Sequence, residues 1–323
     1  MAVGNTTYTR IVTDTLQDHG QEIFDNVSTN HPLLYTLQKK GNIKVRPGGR
    51  KFTHPLYYNQ NTSFKSYSKL DVIDTPTMDD YTRAEYDIKT IAGSLVLGTF
   101  DMAANSGDKA KLLDLAMEVR MAAEISMEQV LGTQVFADGS TATDFGGLQY
   151  LINIAANTQT DVGGINNTTA GTTWWRNYYN TTGTAAFNTG AAGLLLMQAA
   201  LNNTTQGRKG PRMVVTTKTV YSLYEIGLTA NIRYTKLELG DAGFQALAYT
   251  TMPVVFDDNC PSGYMYFVDT DSLWLQVLSG GNMKVSEFQP SHNQLSQTAL
   301  MYLFGNLTTG SRRTNGVLSA ITA

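Results

Sequence analysis

The spacing of apolar residues divides the 323-residue chain into stretches of unlike texture. Ile11, Val12, Leu16, Ile23 and Phe24 predict a loose helix within residues 9–27. The run "HPLLYTLQKKG" predicts a second, with Pro32 in its first turn and Gly41 as its stop. The clearest periodicity follows Asn105. Leu112, Leu115, Ala116, Val119, Ala122, Ala123, Ile125 and Val130 recur at threes and fours, so a helix over about 107–131 carries an apolar face. Asn105 or Ser106 can cap it, and Asp108 suits the positive end of its dipole. At about 1.5 Å per residue this helix is about 36 Å long, enough to be the spine of a domain. Residues 189–203 predict a buried helix and 217–229 another.

Extended texture fills much of the rest. Residues 82–102 read as one long strand, Met213–Val215 as a short one, and 283–321 as an alternating β pattern. Residues 138–190, rich in Gly, Thr and Asn around "WWRNYY", read as strands and loops, and "QGRKGPR" as a turn. Residues 41–80 are different again. They hold Phe52, Tyr57, Tyr58, Phe64 and Tyr67 but few aliphatics and no helical period. Such a stretch cannot bury a core of its own, so it is disordered or a two-stranded excursion held by something else. Its aromatics favour the excursion.

Composition sharpens this picture. Charged residues make up only 16%, against about 25% in ordinary soluble domains, and there are 17 tyrosines. Low charge with many tyrosines suits surfaces that become buried against other copies, because charge is depleted at interface cores. A net charge of −3 speaks against a dedicated nucleic-acid binder. One cysteine makes no intrachain disulfide. The opening residues lack the order of a signal peptide, and the longest apolar runs fall far short of a membrane span. The chain is expected to work in water.

The candidate chemistry centres on "MPVVFDDNCPSGYMYFVD". Asp257, Asp258 and Cys260 are a conceivable metal or nucleophile site, as a hydrolase would use. The four histidines are scattered singly, with none of the spacings that hold zinc. The favoured reading is a turn: Val254–Phe256 is a strand, Pro261 and Gly263 reverse the chain, and "YMYFVD" is the strand paired with it. Gly146-Gly147 and Gly163-Gly164 fit no phosphate-binding frame, and no serine sits in a nucleophile elbow. Asp79-Asp80 and Glu124/Glu128 read as solvated carboxylates. Trp174, Trp175, Arg176, Tyr178 and Tyr179 suit packing or an interface more than base stacking. Lys39, Lys40, Lys44, Arg46, Arg50 and Lys51 form the sharpest charge feature. It meets nucleic acid, an acidic patch on a neighbouring copy, or solvent, and the sequence leaves these open.

The runs "GGRKFTHPLYYNQNTSF" and "DDYTRAEYDIKTIAGSLVLGTFDMAANSGDKAKLLDL" resemble the front half of a tailed-bacteriophage major capsid protein. "GLQYLI", "VGGI", "WWRNYY", "GFQALAYTTMPVVFDDNCPSGYMYFVDTDSLWLQV" and "GNLTTGSRRTNGVLSAIT" resemble the rest, in the same order. The resemblance spans nearly the whole chain and rests on order and spacing. It is to the family with the Hong Kong 97 phage coat fold, shared with encapsulins and herpesvirus floor domains.

The resemblance implies an α+β phage coat fold. Residues 1–41 would form the N-terminal arm and 42–82 the extended β-hairpin loop, turning near 59–70. Residues 83–145 and 284–323 would form the peripheral domain around the spine helix, and 146–283 the axial domain with connecting segments. It implies a structural protein, not an enzyme, with no cofactor and no catalytic or metal residues. Copies would join as pentamers and hexamers into an icosahedral shell enclosing double-stranded DNA without sequence-specific binding. Arg46, Arg50, Lys51, Tyr57, Tyr58, Phe64, Lys65 and Tyr67 would make the intersubunit contacts. The implied partners are a separate scaffold (or cleavage before Met1), a portal and a decoration protein, with no membrane. The implied location is the virion capsid, assembled in the host bacterial cytoplasm. Some members crosslink through a loop lysine; Lys65 and Lys69 lie in the loop, but nothing identifies a partner for either. The alternatives are an encapsulin-like compartment around a cargo enzyme, a virion decoration protein that binds carbohydrate or host, and the hydrolase built on Asp257, Asp258 and Cys260.

Overall fold

The computed structural model describes residues 31–73, 75, 77, 79–104, 109–155, 161–181, 187, 192–228 and 246–322, with side chains at all of these except 109–116, 170 and 246. The expected helix within 9–27 and the expected caps Asn105, Ser106 and Asp108 lie outside the described residues. Contacts divide the chain into two compact units.

Among the described residues, the first unit comprises those of 90–104, 109–131 and 280–304. It holds most of strand β4 (Lys89–Gly98), the short helix α2 (Thr99–Ala104) and most of the long helix α3 (Lys109–Val135). The front half of β13 (Ser296–Thr309) pairs with β4, β11 (Lys284–Val285) and β12 (Gln289–Pro290). The sequence predicts one strand over 82–102; the chain instead breaks after Asp87, starts β4 at Lys89 and turns helical at Thr99. Helix α3 runs four residues past its expected end. Its expected apolar face is covered only in part: Val119, Ala123 and Ile125 are half-buried and Val130 is exposed, while the buried positions one turn apart are Met127 and Leu131, outside that set. An apolar groove of about 330 Å³ remains between β4 and α3, lined by Ile91, Leu95, Val119, Ala123 and Met127.

Among the described residues, the second unit comprises those within 31–89, 132–279 and 305–322. Its larger sheet runs β5 (Tyr178–Asn180), β14 (Gly316–Leu318), β9 (Met265–Val268), β6 (Met213–Thr216), β8 (Met252–Phe256) and β7 (Ala246–Tyr249). The central strands β6 and β9 are short, apolar and buried at every position, as strands covered on both faces must be. Helices α5 (Ala192–Thr204) and α6 (Lys218–Gly227) supply Met197, Ala200, Val220 and Tyr224 to the core over this sheet. Thr217 caps α6, its hydroxyl accepting from Val220 N at 3.4 Å.

Elsewhere in this unit, helix α1 (Pro32–Lys39) begins on Pro32, and Gly41 just beyond it takes a φ of 69°. The chain then enters β1 (Ile43–Arg46), parallel to β10 (Leu273–Leu278), which pairs antiparallel with the back half of β13. Strands β2 (Lys51–Tyr57) and β3 (Tyr81–Asp87) form a separate two-stranded ribbon. Among the described residues of 138–181 the elements are short: α4 (Leu148–Leu151), a 3₁₀ turn at Ala170–Trp175, and β5. Among the described residues no helix is long and apolar enough to cross a membrane.

Candidate functional site: the exposed ribbon and the Asp257–Cys260 turn

In the ribbon, β2 alternates between exposed and buried, so Phe52, His54 and Leu56 share an inner face with Ala84 and Tyr86 of β3. This face packs on its own chain. Tyr86 Oη donates to Thr309 O at 2.9 Å, and burial pushes its phenol far above the ordinary value. Glu85 N donates to Gly163 O at 2.8 Å. His54 stacks on Trp274, and its Nε2 lies 2.7 Å from Gln276 Nε2 and 3.0 Å from Thr308 Oγ1. The expectation that the ribbon has no interior is thus corrected at its root, because alternate residues of both strands meet β10 and β13.

The expectation does describe the tip. Beyond the tilted Tyr57–Tyr81 pair, 5.2 Å between centroids, Tyr58 is stacked 5.1 Å from Trp174 with planes 19° apart. Phe64, Leu70 and Val72 are then 84%, 92% and 90% exposed. Local turns order this segment: Asn61 Oδ1 accepts from Ser63 N at 2.9 Å, Ser68 N donates to Asp71 Oδ2 at 2.6 Å, and Tyr67 Oη donates to Ser63 O at 2.8 Å. Lys65 Nζ sits 5.3 Å from the Tyr67 ring centroid. Exposed apolar residues held by polar turns make an interaction surface rather than a core. Leu70, Val72 and Ile73 are its most telling residues, and the sequence reading passed over them for the aromatics.

Four cations of the basic stretch have partners within the chain. Lys40 Nζ pairs with Asp271 Oδ1 at 2.9 Å, Lys44 lies 5.1 Å from the Trp274 ring centroid, and Arg46 Nε donates to Gln276 Oε1 at 3.1 Å. Lys51 pairs with Glu85 at 3.3 Å and Asp87 at 3.8 Å. Arg50 is exposed in the turn before β2. Lys44 and Arg46 thus hold β1 to β10, and Lys51 links the two ribbon strands.

The Asp257–Cys260 segment is a turn. Asp257 Oδ1 accepts from Asn259 N at 3.0 Å, Cys260 N donates to Asp257 O at 3.2 Å, and Gly263 adopts a φ of 76° against Ile321. One detail is corrected. The strands it joins, β8 and β9, are not partners, because β6 lies between them. Eight connecting residues easily cross the roughly 10 Å of two strand spacings. Asp258 is tied to Lys218 at 2.7 Å. Burial raises the Asp257 carboxyl, and burial with the Asp257 charge pushes the Cys260 thiol well up. A thiol so held disfavours the thiolate that a nucleophile needs. The nearby His31 meets Asp257, Nδ1 to Oδ1 at 3.8 Å, and Asn259 at 3.3 Å. This cluster fastens α1 to the turn. Among the described residues no three of His, Cys, Asp and Glu gather closely enough to hold a metal ion.

Trp175 is buried and donates its indole N–H to Val162 O at 2.9 Å, and Arg176 Nε donates to Asn167 O at 2.8 Å, so "WWRNYY" packs rather than projects. Arg312, which the sequence reading did not single out, is fully buried. It donates to Leu151 O at 2.7 Å, Trp175 O at 3.1 Å and Asn177 Oδ1 at 2.8 Å.

No protein-family model matches the sequence, and no curated protein matches it. Solved structures do match. One is the capsid asymmetric unit of cyanophage A-1(L), with a TM-score of 0.71 and 15% identity over 96% of this chain and 98% of that one. Another is the capsid of a native GTA particle, at 0.60 and 12% over 98% and 99%. A third is the holo-SrpI encapsulin complex of Synechococcus elongatus, at 0.55 and 11% over 96% and 94%. At such identities the likeness is one of fold, and it runs the full length of the chain: this protein has the α+β fold of tailed-phage coat proteins.

Proposed function

We propose that the chain is a structural subunit that assembles with copies of itself into an icosahedral shell enclosing the double-stranded DNA genome of a tailed bacteriophage. The observation that carries this reading is the ribbon tip, where Phe64, Leu70, Val72 and Ile73 stand exposed on local polar turns. A neighbouring copy supplies its cover, so the stability of the tip belongs to the assembly. Arg46, Arg50, Lys51, Tyr57, Tyr58, Phe64, Lys65 and Tyr67 lie on or beside the ribbon and are its proposed contact residues. The proposed organisation is an arm over 1–41, a loop over 42–82, a peripheral domain over 83–145 and 284–323, and an axial domain over 146–283. The compact units group 83–89, 132–145, 280–283 and 305–322 differently, since contact density within one chain is a separate property from position in a shell. Pentamers and hexamers, a separate scaffold, a portal and a decoration protein complete the proposed assembly, which forms in the bacterial cytoplasm and becomes the virion capsid. It is proposed to do no catalysis.

Electron microscopy of the chain expressed with its neighbouring structural genes, together with extraction of nuclease-protected nucleic acid, tests this. Closed shells of five- and six-fold clusters containing double-stranded DNA are expected. Shells around a protein cargo would instead favour the compartment reading, and a compact monomer under all conditions would remove both.

A further inference from the structure

A second concave surface, unrelated to the ribbon, lies in the second unit where the end of α1 meets the turn between α5 and β6. It is a cleft of about 410 Å³ whose lining includes Lys40, Arg208, Lys209 and Arg212, and no carboxylate is among its lining residues. Asp271 at its edge pairs with Lys40 at 2.9 Å and with Arg212 at 3.4 Å. The Lys40 hydrogen bond is the chief cause holding that carboxyl below its usual value, so it stays ionised and links the two cations. Among the described residues Arg208 and Lys209 form no ion pair. A chain of net charge −3 thus gathers a local excess of three positive charges in one hollow.

The backbone presents these charges rigidly. Gln206 and Lys209 exchange backbone hydrogen bonds of 2.7 and 3.0 Å around Gly207, whose φ of 59° closes the turn. Gly210 and Pro211 are buried, and Arg212 N donates to Val268 O at 2.9 Å. Pre-set cations lose little freedom when an anion arrives. The chain itself offers no run of acids longer than two with which a second copy could match them.

We propose that this cleft binds phosphate, as successive phosphodiesters of a nucleic acid or as free phosphate, through Lys40, Arg208, Lys209 and Arg212, with Asp271 as an internal placeholder on two of them. Guanidinium forks and ammonium groups read phosphate without reading sequence. The site stands on its own charges and does not depend on the shell reading.

The test is fluorescence anisotropy of the full chain with a duplex, read against salt. Four phosphate contacts predict a slope of log K on log salt near about −3.6, so binding weakens roughly 150-fold between about 50 and 200 mM salt. The double variant R208A/K209A, altered only at exposed side chains, should fall to about −1.8 and roughly 12-fold. D271N should bind more tightly than the parent. Binding of pyrophosphate lost in R208A/K209A, with no duplex binding, would assign free phosphate as the source and keep the site. Duplex and phosphate affinities unchanged by R208A/K209A would overturn it, as would a preference for polyglutamate over the duplex.

Discussion

His54 lies flat on Trp274, ring centroids 4.8 Å apart and planes 20° from parallel, so a ribbon strand is anchored to β10 through an imidazole. Arg46 Nε donates to Gln276 Oε1, which turns the amide nitrogen toward His54 Nε2 at 2.7 Å. That nitrogen must then accept and carry no proton. Burial first, then the charges of Arg46 and Lys44, lower this histidine from 6.5 to about 4.

A definite pH dependence follows. The folded pKa is depressed, so between about pH 4 and 6.5 the unfolded chain binds more protons. The contribution of neutral His54 is intact above the upper value and is lost as pH falls toward the lower. Asp257, raised by burial, works in the opposite sense just above its ordinary value. Urea midpoints of wild type and H54Q at about pH 7, 5.5 and 4.5 separate the two groups, with the difference between the chains changing as pH falls. A constant difference would show that His54 does not titrate in this window.

Arg312 should be among the least replaceable side chains. Its guanidinium satisfies Leu151 O, Trp175 O and Asn177 Oδ1 within the second unit. Truncation strands these acceptors and leaves a cavity. R312A is expected to cost about 3 kcal/mol or more in denaturant unfolding. R312K, with no planar fork, should recover little of that. A loss under about 1 kcal/mol in either variant would mean that water replaces the guanidinium freely.

Helices α1, α3, α5 and α6 were legible because periodicity and punctuation agree: Pro32 and Gly41 bracket α1, and Thr217 precedes α6. Strand partners were not, since a run of buried residues such as Met213–Thr216 carries no record of its neighbours. That β6 lies between β8 and β9 is a property of chain return, invisible in the text of the turn. The ribbon tip was legible as a segment without a core, whereas its root was not. Phe52, His54 and Leu56 alternate in sequence, but the partners of His54 lie more than two hundred positions away. Partners of the cations of 39–51 were hidden for the same reason. Lys40 and Arg46 find their partners at Asp271 and Gln276.

Gly132 offers a sharper check of the His31 cluster. A Cβ built there would run into the His31 ring, beside its contacts with Asp257 and Asn259. Alanine in a helix ordinarily gains up to about 1 kcal/mol over glycine. Here G132A is expected to lose about 1–3 kcal/mol through overpacking. In H31A the same substitution should become neutral or stabilising. Equal losses from G132A in both backgrounds would place the strain elsewhere.

The strongest test of assembly uses substitutions that the isolated subunit should not feel. Phe64 and Val72 are almost wholly exposed, so F64D/V72D should shift unfolding free energy by no more than about 0.5 kcal/mol. Assembly is another matter, because two carboxylates would have to enter an apolar contact, where an unpartnered charge costs several kcal/mol each. Sedimentation of the double variant should therefore show folded subunits or small oligomers under conditions where the parent sediments as shells. Trp174 separates the tip's two attachments. W174A removes the Tyr58 stack, worth about 0.5–1.5 kcal/mol beyond its buried area. It should speed hydrogen exchange at residues 57–63 in the free subunit while leaving the shell intact, since the neighbouring copy reorders the tip. Shells formed at normal yield by F64D/V72D would show that the tip is not the surface through which copies join.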